Sequence, residues 1–206
     1  MRFSQVHATP YPWPFDGRWS TANTTLLVID MQQFLMRALA RPDVEAAAAR
    51  LLVGARAANL PVIFTQRLPA PPGVMRSRAE ATHGLADALP PDDGAALAIL
   101  PALEPQEIIA RHGWSAFTGT DLAARLQRRG VRNLILCGAT TDGALHATMR
   151  EADDRGHECL LVEDASCAQQ PEHHEAILRI TRFGHGLFGT TAPTHAIITA
   201  MEDSVA

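Results

Sequence analysis

The chain has no lysine: all 18 of its fixed positive side chains are arginine. Wherever the chemistry of a site calls for an ammonium group, no residue here can supply it in kind. Cysteine is scarce, three residues in 206, and the number is odd. All three sit in or beside apolar runs that read as core strands, which points to a reduced, cytoplasmic protein without a disulfide framework. There is no basic run, and the net charge is −4. That balance gives no footing for nucleic acid or for an anionic membrane. Apolar runs are strand-sized, far short of the ~20 residues of a membrane span. The opening Met1-Arg2-Phe3-Ser4-Gln5 does not read as a signal peptide. Internal repeats and low-complexity linkers are also missing.

What is present is an ordered alternation of short apolar runs and amphipathic stretches. Residues 24–29 read as a strand with Asp30 at its C-terminal end. Asp43 is placed to cap a helix running to about Ala58, and Pro61-Val62-Ile63-Phe64-Thr65 reads as the next buried strand. Residues 66–106, rich in Pro, Gly and Ala, lack sustained periodicity and read as an excursion of loops and short helices that shapes a lid or a subunit contact. A strand at about 107–110 leads into Arg111, and Thr120 or Asp121 caps a helix that stops at Gly130. Then come a strand at 132–137, a helix at 143–155, a strand at 158–163, a helix from Pro171 to about Arg182 and a last helix from near Pro193. Uniformly apolar strands alternating with helices predict one α/β domain over residues 1–206. It is doubly wound, its sheet mainly parallel with helices on both faces, and residues 1–20 form an N-terminal arm. Ligands of such sheets bind beyond the carboxyl ends of the strands, which is where Asp30, Arg111 and the segment 138–144 fall.

The segment Cys137-Gly138-Ala139-Thr140-Thr141-Asp142-Gly143-Ala144-Leu145 is the most telling. A strand ends at a glycine, a small polar turn follows, and a helical pattern begins. Free backbone N–H groups and the positive end of the helix dipole meet at such a turn, a place where thiolates are activated and oxyanions held. The residue there is Ala144, which has no nucleophile.

Three segments carry a family resemblance: Leu26-Leu27-Val28-Ile29-Asp30-Met31-Gln32, Trp114-Ser115-Ala116-Phe117-Thr118-Gly119-Thr120-Asp121-Leu122, and Gly138 through Thr148-Met149-Arg150-Glu151-Ala152 to Val162-Glu163-Asp164-Ala165. They resemble the isochorismatase-like hydrolases, which include nicotinamidases, N-carbamoyl amidases and biuret hydrolases. Tyr11-Pro12-Trp13-Pro14-Phe15-Asp16-Gly17 and Gly186-Leu187-Phe188-Gly189 look most like the biuret and ureidoacrylate branch. In that family an Asp, a Lys and a Cys cooperate. The Asp takes the thiol proton, the Lys stabilises the charges, and the Cys attacks a carbonyl. The resemblance puts Asp30 at the first position, Arg111 at the second and Ala144 at the third. It also implies a cis peptide before Thr140, with the N–H groups of Thr140 and Ala144 forming an oxyanion hole.

Each of these positions has a plainer reading beside it. Asp30 is either the acid–base group or the cap of the following turn. Arg111 is either a charge clamp that holds Asp30 ionised or an ion pair surviving from an ancestral triad. Cys137 and Cys159 read as core, whereas Cys167, just past a strand end, is a remote choice for a displaced nucleophile. Phe34 and Trp114 are placed as apolar pocket wall, and His146 faces either the pocket or a helix interface. His173 and His174 point apart and read as surface residues. No metal is expected, because the region after the second strand reads Gln66-Arg67-Leu68-Pro69 with no His before His83. No cofactor is expected either. An isochorismatase branch of phenazine pathways, which cleaves a vinyl ether with the Asp and carries Gly for Cys, supplies a thiol-free precedent, although it keeps the Lys. Two functions follow: a thiol-independent hydrolase of a small carbamoyl, amide or vinyl-ether compound, or a silent paralogue that binds a small ligand or partners an active subunit. The resemblance also implies a homo-oligomer, with the 66–106 excursion or the last helix at the contact.

Overall fold

The computed structural model describes residues 2–68 and 107–203. Six strands form one parallel sheet: β1 (Thr24–Ile29), β2 (Val62–Arg67), β3 (Glu107–Arg111), β4 (Asn133–Ala139), β5 (Glu158–Cys167) and β6 (Thr190–Ala192). Their order is β3-β2-β1-β4-β5-β6. The described helices are α1 (Gln33–Leu39), α2 (Pro42–Ala57), α3 (Leu122–Arg128), α4 (His146–Asp154), α5 (Pro171–Gly186) and α6 (Thr194–Glu202). The protein is an α/β fold, as the alternation predicts.

Side chains alternate across a strand, so β1 feeds two cores. Leu26 and Val28 join Phe64, Ile135, Leu160, α2, α6 and the arm residues Phe3, Trp13 and Trp19 on one face. Leu27 and Ile29 join Ile63, Leu134, Leu136, Leu161 and helices α3, α4 and α5 on the other. α2 can cover its face because Val44, Ala47, Ala48, Leu51, Leu52 and Ala55 recur at the helical repeat. Burial of each large aliphatic side chain contributes roughly 1.5–3 kcal/mol, which is why the uninterrupted apolar strands settle at the centre.

Several local expectations are corrected. Arg41 precedes α2, Pro42 opens it, and Asp43 sits inside the first turn, held by Arg41 at 2.7 Å. Gln66 and Arg67 belong to β2, not to a loop excursion. The rest of that excursion from residue 69, with His83, lies outside the described residues. β5 continues to Cys167, well beyond residue 163. The helix expected from 143 starts as a wide π turn over Thr141–Leu145, with Gly143 off helical dihedrals (φ −122°, ψ −107°), before α4 proper. α1 and β6 escape a reading by pattern. α1 is under two turns with one fully buried residue, Met36, and β6 has three residues. The stop at Gly130 is as expected, at φ +64°. Among the described residues no helix is long and apolar enough to cross a membrane.

Candidate active site

The strand order reverses between β1 and β4, so the two chains leaving their carboxyl ends diverge and open a crevice. Asp30 leaves β1 there, and the segment Thr140–Leu145 leaves β4 beside it. Close approach of the two strands depends on Gly138, which pairs with Ile29. Its φ is +123°, and a Cβ would collide with the Ile29 carbonyl, so only glycine serves. Asp30 itself is left-handed (φ +46°), a conformation that Asp tolerates better than most residues.

Asp30 is 1% exposed and fully engaged. Its backbone N–H donates to Thr65 Oγ1 at 3.1 Å, and that hydroxyl donates onward to Asp30 Oδ1 at 2.6 Å. Oδ2 is ion-paired with Arg111 Nη2. Arg111, from β3, reaches across the end of β2, and its other terminal nitrogen donates to the Gly113 carbonyl. The pair is closed off: Arg111 is also 1% exposed, and its Nε finds no hydrogen-bond partner among the described residues. Burial pushes the Asp30 carboxyl above its ordinary value, against the opposing pull of Arg111, the Thr65 hydroxyl and Arg67. Arg111 alone leads to the opposite expectation, a depressed Asp30; the completeness of desolvation reverses it.

The turn after β4 begins with a cis peptide between Ala139 and Thr140. Gly143 and Leu145 donate to the Thr140 carbonyl at 3.1 and 3.2 Å, closing the wide turn. Gly143 is small because a Cβ there would lie 2.6 Å from Thr140 Oγ1 and 3.1 Å from the Trp114 ring. Ala144 is buried and joins the apolar cluster beneath the turn. Its carbonyl accepts from Thr148 Oγ1 at 2.7 Å, and the same hydroxyl oxygen accepts the Ala116 N–H at 2.9 Å. The segment after β3 is thereby tied to the turn.

Trp114 lies over Gly143 and is 52% exposed. Arg67 stacks on it, with its guanidinium carbon 4.7 Å from the ring centroid. Gln32 anchors Arg67 by its backbone, accepting the Arg67 N–H at 2.9 Å and donating to its carbonyl at 3.3 Å. Phe34 is half-buried in the first turn of α1. His146 packs edge-on against Phe188, ring centroids 6.0 Å apart, with Arg150 Nε 3.4 Å from its Nε2. Burial, reinforced by Arg150, pushes its pKa down to about 4. The adjacent histidines of α5 both reach the turn: His173 meets Asp142 and His174 meets Thr141, each at 2.9 Å. They were expected at the surface, and only His173 is exposed.

The cysteines offer no substitute thiolate. Cys137 and Cys167 are wholly buried, with thiols pushed up to about 12 and about 11 chiefly by desolvation. Cys159 is raised by the same cause. Cys167 pairs with Ala139 inside the sheet and does not head a helix. Among the described residues no cluster of His, Cys, Asp and Glu is arranged to hold a metal. Sequence reasoning missed Thr65, Gln32 and Arg67. Thr65 and Arg67 lie at the end of the second apolar run, and Gln32 lies two residues past Asp30, so position relative to the strand ends was the available signal.

Comparison with known proteins agrees with this architecture. An isochorismatase domain model matches residues 24–194. The isochorismatase family protein YecD of Escherichia coli O157:H7 is 33% identical over 161 residues, covering 73% of this chain and 83% of that protein. The ureidoacrylate amidohydrolase RutB of Methylobacterium radiotolerans is 28% identical over 235 residues, 94% of this chain and 84% of that protein. A cysteine hydrolase from Pseudomonas syringae pv. phaseolicola 1448A superimposes with a TM-score of 0.75 at 23% identity, covering 98% of this chain and 99% of the other. The chain belongs to the isochorismatase domain family.

Proposed function

We propose that this hydrolase-like member of the family is an enzyme that works without a thiol, with Asp30 as its acid–base group, on a small carbamoyl, amide or vinyl-ether compound. The observation that carries this reading is the buried Asp30 carboxyl at the crevice, its pKa raised by desolvation. A carboxyl tuned upward is better suited to holding and giving a proton, to a leaving nitrogen or to an enol-ether carbon, than one at its ordinary value. Water then supplies the oxygen that a covalent cysteine route would supply in two steps. The backbone N–H groups of Thr140 and Ala144 are assigned to the polarised oxygen, and Trp114 and Phe34 to the apolar wall. His146, turned to Phe188, is left outside the reacting set. The ureidoacrylate amidohydrolase among the relatives supports a small carbamoyl-type compound. The same reading places the protein in the cytoplasm as one domain.

Its test is Asp30→Asn, which keeps the size and the left-handed backbone tolerance while removing the titrating group. Hydrolysis by the native chain and none by the variant supports the proposal; equal turnover by both removes it. A second reading, a silent paralogue that binds a small ligand, is favoured by one observation: both Asp30 oxygens are already engaged, by Thr65 and Arg111. We also propose a homo-oligomer. Ile180 and Phe183 of α5, the latter 70% exposed, with Leu187 just past its end, leave apolar surface that a second copy would cover. Light scattering at micromolar concentration should give a multiple of 22.3 kDa, and a monomer would contradict it.

A further inference from the structure

We infer that Arg67, stacked on Trp114, is the specificity-determining residue of this crevice and selects ligands that carry a carboxylate. The inference rests on the reading of this edge as the ligand site, and it names the ligand class. Three observations bring it forward. First, the carboxylates described at the edge already have partners. Asp30 is paired with Arg111, and Asp142 of the turn is engaged with His173. Arg67 remains, with no carboxylate partner among the described residues, yet close enough to act on both members of the buried pair.

Second, Arg67 is held in place. Its backbone is bonded on both sides to the buried Gln32, and its guanidinium lies on the Trp114 ring. A guanidinium stacked by its face keeps its edge N–H groups available, and that edge matches a carboxylate in a two-bond fork. Third, the same ring rests on Gly143, one residue before Ala144, so the stack stands beside the turn at the centre of the crevice. A neutral urea or amide makes no use of a guanidinium there; a ligand with a carboxylate at one end and a polarised bond at the other does. Residue 67 therefore divides carboxylate-bearing compounds from their neutral counterparts.

The test uses benzoate and benzamide, matched in shape and different in charge, as probes on the full chain. Trp13 and Trp19 are wholly buried whereas Trp114 is half exposed, so ligand-induced fluorescence change reports on Trp114. Loss of the signal in Trp114→Phe assigns it. The native chain should bind benzoate about tenfold or more tightly than benzamide, the scale of a charge-assisted contact. Arg67→Gln should bring the ratio to about one with benzamide affinity unchanged, and Arg67→Lys should restore part of it. Equal affinities, no binding of either probe, or a ratio unchanged in Arg67→Gln would overturn the inference. Its fate is separable from that of the proposed activity. Carboxylate preference without turnover of any substrate leaves Arg67 assigned and removes the hydrolase reading. Turnover of a neutral amide that depends on Asp30, with no carboxylate preference, does the reverse.

Discussion

Replacing Arg111 with Met is the substitution whose cost follows most directly from the structure. The thioether side chain fills much of the same volume but leaves the Asp30 carboxylate buried, and only Thr65 still donates to it. It also removes the donor to the Gly113 carbonyl. Removing one partner of a buried ion pair typically costs ~3–5 kcal/mol, because the remaining charge stays desolvated. Against a total stability of ~5–15 kcal/mol that is a large share. With a urea m-value of about 2 kcal/mol/M, the unfolding midpoint should fall by about 2 M. The double variant Asp30→Asn, Arg111→Met removes both charges and should recover most of the loss. The deficit of the single variant should also depend on pH. A carboxyl whose pKa is raised on folding binds more protons folded than unfolded, so its contribution falls as pH rises from the ordinary carboxylate value of about 4 toward the raised one. The single variant should therefore come closer to the native chain as the solution is acidified. A loss below about 1 kcal/mol at neutral pH, or a double variant no better than the single, would refute the account of a closed, charged pair.

Other consequences can be checked in the same way. Gly138→Ala should destabilise by more than about 3 kcal/mol, since the new methyl meets the Ile29 carbonyl at a positive φ; a midpoint shift in urea measures it. His146 should titrate near 4 by NMR. Because that value is depressed on folding, the stability it contributes is present above about 6.5 and is lost as pH falls through about 4, a dependence that His146→Gln should flatten. None of the three thiols should react with an aromatic disulfide reagent in the folded protein, and all three should react in denaturant; a native-state thiol reacting within minutes would reopen the question of a displaced nucleophile.

How much of this was legible in the sequence depends on whether a residue's role is local. The apolar stretches within 24–29 and 132–137 force central strands, so the parallel sheet and the position of Asp30 at its edge could be read directly. The helix after Ala144 could also be read, but not its π-shaped first turn. That turn depends on Thr140, Gly143 and Trp114 meeting in space. Arg111 was found by the family resemblance, yet its contact with Asp30 crosses β2 and exists only because of the strand order. Thr65 was seen as one more strand residue, although its hydroxyl is what fixes the Asp30 carboxyl. Gln32 and Arg67 face each other across 35 residues, a separation over which no periodicity carries information. The two α5 histidines looked like solvent residues because their partners, Thr141 and Asp142, belong to another element.

The most direct measurement sets the native chain beside an Arg111→Lys, Ala144→Cys double variant on one panel of biuret, N-carbamoyl compounds, ureidoacrylate, nicotinamide and isochorismate. The account predicts turnover of at least one compound by the native chain, independent of any thiol and lost in Asp30→Asn. Activity confined to the double variant would contradict it and would leave the native protein a binder in a hydrolase fold.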